Sequence, residues 1–264
     1  MKAILLAFAL LAAACQDTRS APDPAPPRAP DGPSLRVMTY NVNYGLAGDR
    51  ETIDAIASED ADVVFLQETT GAWEASLTEA LGSAYPHRAF RHCCAAGGLG
   101  VLSKTPFEER EYLSPPSGGW FPAWRVLVRH DAGNLQALVV HLRPQLSESG
   151  SFLSGFFTTP PIRRAEIETY FPALDPNLPT IVVGDFNENS RGRAIRFLED
   201  KGMVSAVPAR SGATPTWRWQ TSVGTIREQL DHVVVDPRVE ALDVRVIDRG
   251  RSDHLPVVAT IRLR

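Results

Sequence analysis

The sequence predicts an α/β fold built on mixed β-sheet, and three observations carry that expectation. Short runs of Val, Ile, Leu and Phe recur along the chain, and some lack polar alternation, as strands buried on both faces do. Segments of helical periodicity, such as 69–81 with Trp73, Leu77 and Leu81 on one face, stand between runs. Polar side chains gather at strand ends. Asn41, Glu68, His141, Asp185 and Asn187 close their strands, whereas Asp231, Asp253 and His254 open theirs. If the two groups of strands run in opposite directions, all eight side chains reach one edge, which needs antiparallel or mixed pairing.

The chain has 264 residues, 44% of them apolar and 22% charged, a globular composition with enough length for one large or two small cores. The formal charge is −4 and no run of Lys or Arg stands out, which weighs against an extended nucleic-acid footprint. Met1-Lys2, an apolar run over 3–14 and small residues before Cys15 mark a secretory signal. Leu11-Ala12-Ala13-Ala14-Cys15 resembles a bacterial lipoprotein box, with Ala12 where that pattern prefers Leu. The resemblance implies that 1–14 is removed and Cys15 lipidated; the alternative is an ordinary signal peptide with an incidental cysteine. Residues 16–34, rich in Pro, Ala and Asp, lack the apolar density to pack and read as an extended tether. The expected layout is a domain over 35–264, exported and held at a bacterial membrane, periplasmic or cell-surface, through Cys15.

Residues 35–43 read as the first strand, with Asn41 as its polar position and Asn43 as a strand-ending residue. Residues 50–59 read as a short helix with Ile53, Ile56 and Ala57 on one face. Residues 62–68 form a central strand, and a carboxylate closing it is costly unless paired, exposed or metal-bound, so Glu68 is a candidate ligand. Residues 86–104 carry two strands around Cys93-Cys94 and a Gly97-Gly98 turn. Two adjacent cysteines are neither a disulfide framework nor a zinc set. A vicinal disulfide and two plain thiols both remain open here. A strand at 107–113 precedes a Pro/Gly loop over 115–122 with Trp120 and Phe121 at its tip. A hairpin follows, with arms at 124–129 and 135–140, and its second arm ends at His141.

Residues 145–161 read as a long loop containing Phe152, Leu153, Phe156 and Phe157, expected to pack down as a flap, with an apolar pocket rim or a lipid contact second. A helix over 162–174 opens with Arg163 and Arg164. Ile181-Val182-Val183-Gly184-Asp185-Phe186-Asn187 is a buried strand that places Asp185 and Asn187 on one side and Phe186 on the other. A helix at 192–201 is followed by short strands at 216–220, 229–235, 242–247 and 255–263.

The predicted site holds three carboxylates at strand ends, two histidines and two amides, with Asp231 beside them. It has no Ser or Cys nucleophile framed by a base and no Gly-rich phosphate cradle. Oxygen-rich sites suit Mg²⁺, with Mn²⁺ as an alternative, better than zinc. Such an ion neutralises phosphate oxygens and activates water, and histidine serves as acid or base near neutral pH. The chemistry that needs this set is in-line hydrolysis of a phosphate ester.

Thr39-Tyr40-Asn41, Leu66-Gln67-Glu68, Val140-His141-Leu142, Gly184-Asp185-Phe186-Asn187, Leu230-Asp231-His232 and Ser252-Asp253-His254-Leu255-Pro256 stand in the order found in the endonuclease/exonuclease/phosphatase superfamily, which this chain resembles over nearly all of 35–264. The resemblance implies a four-layer α/β/β/α sandwich with two packed mixed sheets. It implies Glu68 as the main metal ligand, with Asn41 and Asp253 close to the metal. Asp185 would orient or deprotonate the attacking water, and Asn187 would aid phosphate stabilisation. His141 and His254 would contact phosphate or move protons, and Asp231 would fix a histidine. The expected activity is that of a metal-dependent phosphoesterase on a small-molecule or lipid-head-group substrate, working as a monomer. A nuclease acting on DNA or RNA is the runner-up, and a silent binding protein or a structural cation site comes after it. Cys93-Cys94 and the long loop after His141 depart from the general pattern where substrate choice would be made.

Overall fold

The structure, a computed structural model, describes residues 33–131, 133–207, 214–222 and 224–264. The signal segment, Cys15 and the tether up to residue 32 lie outside the described residues. Among the described residues, no helix is long and apolar enough to cross a membrane.

Two six-stranded mixed sheets pack face to face. The first runs β13 (Val239–Val246), β14 (Val257–Leu263), β1 (Leu35–Asn41), β2 (Val63–Gln67), β4 (Leu99–Ser103) and β3 (His87–Arg91). The second runs β5 (Phe107–Leu113), β6 (Ala123–His130), β7 (Gly133–His141), β8 (Thr180–Asp185), β12 (Asp231–Val235) and β9 (Val204–Ser205). Alternation along each strand builds the layers. Val37, Phe65 and Val101 of the first sheet meet Val139, Val183 and Val233 of the second in the central core. The outward set of the first sheet, including Met38, Val64 and Leu66, is covered by α1 (Arg50–Ser58) and α2 (Gly71–Leu81). Both helices start on side-chain caps: Asp49 accepts from the Thr52 amide and Thr70 from the Trp73 amide. On the other side, Leu138, Val140 and Val182 are covered by α4 (Pro160–Tyr170) and α5 (Arg193–Asp200) through Ile167, Tyr170, Ile195 and Leu198. The order of layers is therefore α/β/β/α.

Strand direction places the site. β1 is parallel to β2 and antiparallel to β14. β8 is parallel to β7 and antiparallel to β12, with Asp185 opposite both His141 and Asp231. Strands that end in a functional side chain and strands that begin with one thus deliver them to the same edge.

Three local expectations need correction. Residues 152–158 are not loop but α3 (Phe152–Thr158), started by Ser151, whose hydroxyl accepts from the Ser154 amide. The packed flap is only half right. Gly155 lies against the Gln145 backbone, where an added Cβ would come within 2.5 Å, but Leu153, Phe156 and Phe157 are exposed. Phe121, in the Pro/Gly loop, is buried and stacks on His141 with ring centroids 4.4 Å apart. The strand at Trp217 is one arm of a two-stranded hairpin, β10 (Trp217–Thr221) with β11 (Gly224–Glu228), whose second arm the sequence pattern did not reveal. The question left open at Cys93 and Cys94 is answered by a vicinal disulfide.

Candidate active site

The shared edge forms the floor of a cleft of about 1010 Å³, with Glu68, His141, Asp185, Asn187, Asp253 and His254 in its lining. Asn41 and Asp231 stand behind these. All eight predicted site residues come together.

Asp185 is the centre. Its Oδ1 accepts from the Asn187 amide at 2.8 Å and its Oδ2 from Asn41 Nδ2 at 3.1 Å. His141 Nε2 and His254 Nε2 each stand 3.5 Å from the same Oδ2. Burial raises the Asp185 carboxyl above its usual range, with the charge of His254 acting against that rise.

The histidines are prepared differently. His254 Nδ1 donates to Asp231 at 2.9 and 3.1 Å, and Thr216 Oγ1 donates to the same carboxylate at 2.6 Å. Burial would lower the His254 pKa, but Asp231, Asp185 and Asp253 outweigh it and push the value up to about 10. His254 is therefore an imidazolium at neutral pH, with Nε2–H facing the cleft. His141 donates Nδ1–H to the Ala96 carbonyl at 3.1 Å. Burial holds its pKa down, although Asp185 opposes that, so Nε2 carries a lone pair towards the cleft.

Glu68 accepts from Asn41 Nδ2 at 3.0 Å and from the Tyr44 amide at 3.1 Å. Burial raises its pKa, and these two bonds offset only part of the rise. Asp253 accepts from Asn43 Nδ2 at 3.0 Å and Trp217 Nε1 at 3.1 Å. Burial works against its charge, yet His254 and these bonds keep its pKa below the ordinary value. Asn41 turns its nitrogen to both carboxylates, while its oxygen accepts from the Asn43 amide at 3.1 Å. In this geometry it positions two acids, Glu68 and Asp185. Asn187 Nδ2 donates one hydrogen to the Leu142 carbonyl at 3.0 Å, leaving the other for the cleft.

Two places could take a divalent cation. One oxygen or nitrogen each from Asp185, Asp231 and His254 lie within 4.8 Å of one another. Asp231 is already committed to His254 and Thr216, however, and a cation would stand against an imidazolium. Glu68 and Asp253 are the other candidate pair: both line the cleft, and the charge of Asp253 adds to the burial that raises the Glu68 carboxyl, a repulsion that a cation between them would relieve.

Backbone strain is concentrated here. Among the described residues, the non-glycine residues with positive φ include Asn43 (60°), Glu68 (62°), Ala95 (49°) and Asn187 (51°), all at the cleft or beside it. Such conformations cost roughly 1–3 kcal/mol each and persist where the surrounding structure imposes them.

Sequence reasoning missed several supports. Asn43, read as a strand end, holds Asp253; Thr216 and Trp217 hold Asp231 and Asp253. Behind the floor, buried Arg163 bonds Glu188 at 3.1 Å and the Arg143 carbonyl at 3.1 Å. Arg143 lies 3.4 Å from the Trp120 ring centroid, and its amide donates to Glu166 at 2.8 Å. Burial pushes the Glu166 carboxyl up to about 7. The only sequence signal for this network was the pair Arg163 and Arg164 at the start of a helix.

A four-layer sandwich with an oxygen-rich centre flanked by two histidines defines a class of phosphate-ester hydrolase folds. Residues 38–254 match the sequence model of the Endonuclease/Exonuclease/phosphatase family, and the chain belongs to that family of nucleases and phosphatases. The fold is shared with an endonuclease/exonuclease/phosphatase from Beutenbergia cavernae DSM 12333, at 22% identity and a TM-score of 0.68, covering 88% of this chain and 72% of that one. It is shared with D. rerio TDP2 complexed with single strand DNA product, at 16% identity and a TM-score of 0.65, over 88% and 100% of the two chains. The human Nocturnin catalytic domain with bound sulfate anion matches at 16% identity and a TM-score of 0.61, over 88% and 94%. A search of curated proteins finds no match.

Proposed function

We propose that the protein is a divalent-metal-dependent phosphoesterase acting on a small-molecule or lipid-head-group phosphate ester. The observation that carries this reading is the convergence of two histidines of opposite preparation on one oxygen of Asp185. Glu68 and Asp253 would hold Mg²⁺ or Mn²⁺. That ion, when bound, would neutralise phosphate oxygens during attack. Water attacks phosphorus as the P–O bond to the ester group breaks opposite it; Asp185, with its raised pKa, accepts the water's proton, and the departing alkoxide takes a proton from solvent. His254 donates Nε2–H to a phosphate oxygen, and Asp231 keeps it oriented and charged. His141 supplies a lone pair at Nε2 for a proton in transit, and Asn187 donates its remaining amide hydrogen to the phosphate. Asn41 fixes the spacing of Glu68 and Asp185.

Nuclease activity is the second reading, favoured by the likeness to a TDP2 that was solved with single strand DNA. We rank it lower because the cleft lining contains neither Lys nor Arg among the described residues and the chain is acidic overall. The signal and lipoprotein-like box support an exported enzyme anchored through Cys15. The test is hydrolysis of phosphodiesters, phosphomonoesters, sphingomyelin, DNA and RNA with Mg²⁺ and with EDTA. EDTA-sensitive turnover of small or lipid phosphoesters is expected. Strong cleavage of nucleic acid alone would reverse the ranking, and no metal-dependent turnover would end the enzyme reading.

A further inference from the structure

Above its polar floor the cleft is walled by apolar side chains, and one stretch of wall serves no core. The hairpin of β10 and β11 pairs only with itself among the named strands, apart from one bridge between Trp217 and His254. Trp217 and Trp219 share a face, with ring centroids 6.3 Å apart. Phe152, from α3, meets Trp219 at 5.7 Å. Trp217 and Phe152 are half-buried, whereas Trp219 remains 44% exposed. Three large rings left partly wet beside a reaction centre form a surface that gains free energy by being covered.

The row is tied to the chemistry at one end. Trp217 Nε1 donates to Asp253 at 3.1 Å, and its backbone bridges to His254. A phosphate between His141 and His254 would therefore lie at the end of the row. An ester substituent leaving it past His254 would run along Trp217 towards Trp219 and Phe152. Among the described residues neither Lys nor Arg lines the cleft, and along the row Trp217, Trp219 and Phe152 offer that substituent apolar surface.

We infer that the Trp217–Trp219–Phe152 row is a substrate subsite for an uncharged apolar group, aryl or alkyl, esterified to the phosphate under attack. This rests on the phosphoesterase reading and narrows its substrate class: a phosphodiester with one apolar arm, rather than a polyanionic strand. Burial of alkyl carbon on the row raises affinity for the transition state by about threefold to fourfold per methylene covered.

The test uses the full chain with Mg²⁺ and p-nitrophenyl phosphodiesters. The leaving group stays constant and the other ester arm is methyl, butyl, octyl or phenyl, with a p-nitrophenyl ester of thymidine 5′-phosphate as the nucleotide arm. For the parent, kcat/KM is expected to rise at least tenfold from methyl to butyl and to exceed the nucleotide value. Phenyl against octyl separates an aryl from an alkyl source. In Trp219→Ala and Phe152→Ala the butyl and phenyl esters should lose at least tenfold more than the methyl ester. Phe157→Ala, exposed on the same helix and outside the cleft lining, is the control that should leave the whole series unchanged. Turnover with no dependence on the ester arm, or a uniform loss across the series in both variants, overturns this inference and leaves the phosphoesterase reading standing. Turnover of none of the esters overturns both.

Discussion

His254 owes its charge to the carboxylates around it, so it can be discharged from a distance. Asp231→Asn keeps a hydrogen-bond partner at Nδ1 but removes the charge. The expected result is a fall in kcat of about 10²-fold or more. The pH profile should change as well. The parent holds its imidazolium up to a pKa of about 10, whereas the variant should lose activity as pH rises through a lower value. An unshifted alkaline limb would remove Asp231 from this role. His232 behaves in the opposite way. It is buried, accepts at Nδ1 from Ser205 Oγ at 2.8 Å and donates at Nε2 to the Glu188 carbonyl at 2.9 Å. Burial drives its pKa down to about 4 from 6.5. Between these values the unfolded chain binds the proton and the folded one does not, so stability rises with pH. The contribution is complete above about 6.5 and is lost as pH falls towards 4, for a total of about 3 kcal/mol. Urea midpoints from pH 7 to 4.5 should fall more steeply for the parent than for His232→Gln. The convergence of the eight site residues was legible in the sequence because a polar side chain closing or opening an apolar run is conspicuous. Asn43, Thr216 and Trp217 were not, because what they hold is set by partners distant in sequence or across a strand pair.

At the scale of elements, β8 depends on a glycine. Gly184 has φ 142°, and an added Cβ would lie 2.0 Å from the Val140 carbonyl oxygen on β7. Gly184→Ala should destabilise the fold by roughly 3 kcal/mol or more, because the obstacle is backbone and cannot turn aside. A denaturant midpoint equal to the parent's would contradict that close approach. The disulfide turn is a second dependence. An added Cβ at Gly97 would meet both Cys94 Sγ and the Phe121 ring at 2.8 Å. The turn thus backs the ring that stacks on His141, and Ala96 in the same turn accepts from its Nδ1. Replacing Cys93 and Cys94 together with Ser should lower kcat about tenfold by loosening His141. Unchanged kcat would show that Phe121 suffices. Most strands were legible from their apolar runs. α3 was not, because Ser and Gly interrupt its phenylalanines and its cap is a local serine. β11 was hidden because Gly224-Thr225-Ile226-Arg227-Glu228 has neither a clear alternation nor a hydrophobic run.

For the whole molecule, the site is a seam. Asn41 on the first sheet bonds Asp185 on the second, and His254, just before β14, bonds Asp231 on β12. Asn41→Ala should therefore lower activity about tenfold or more through misplaced carboxylates while leaving the melting temperature within a few degrees, since its side chain adds nothing to the apolar layers. A large drop in melting temperature would mean that the amide stitches the sheets as well as spacing the acids. The layered architecture entered through resemblance to a family; strand order and register did not, because pairing between distant segments leaves no local mark. That order has a consequence for biosynthesis. β14 lies between β1 and β13, with Leu35 opposite Ile261, so the first sheet has a gap until residues 257–263 are available. A nascent chain emerging from the ribosome can assemble all of the second sheet while β1 still presents an open edge. Until residues 257–263 pair with both neighbours, β1 and β13 stay apart and the first sheet is incomplete.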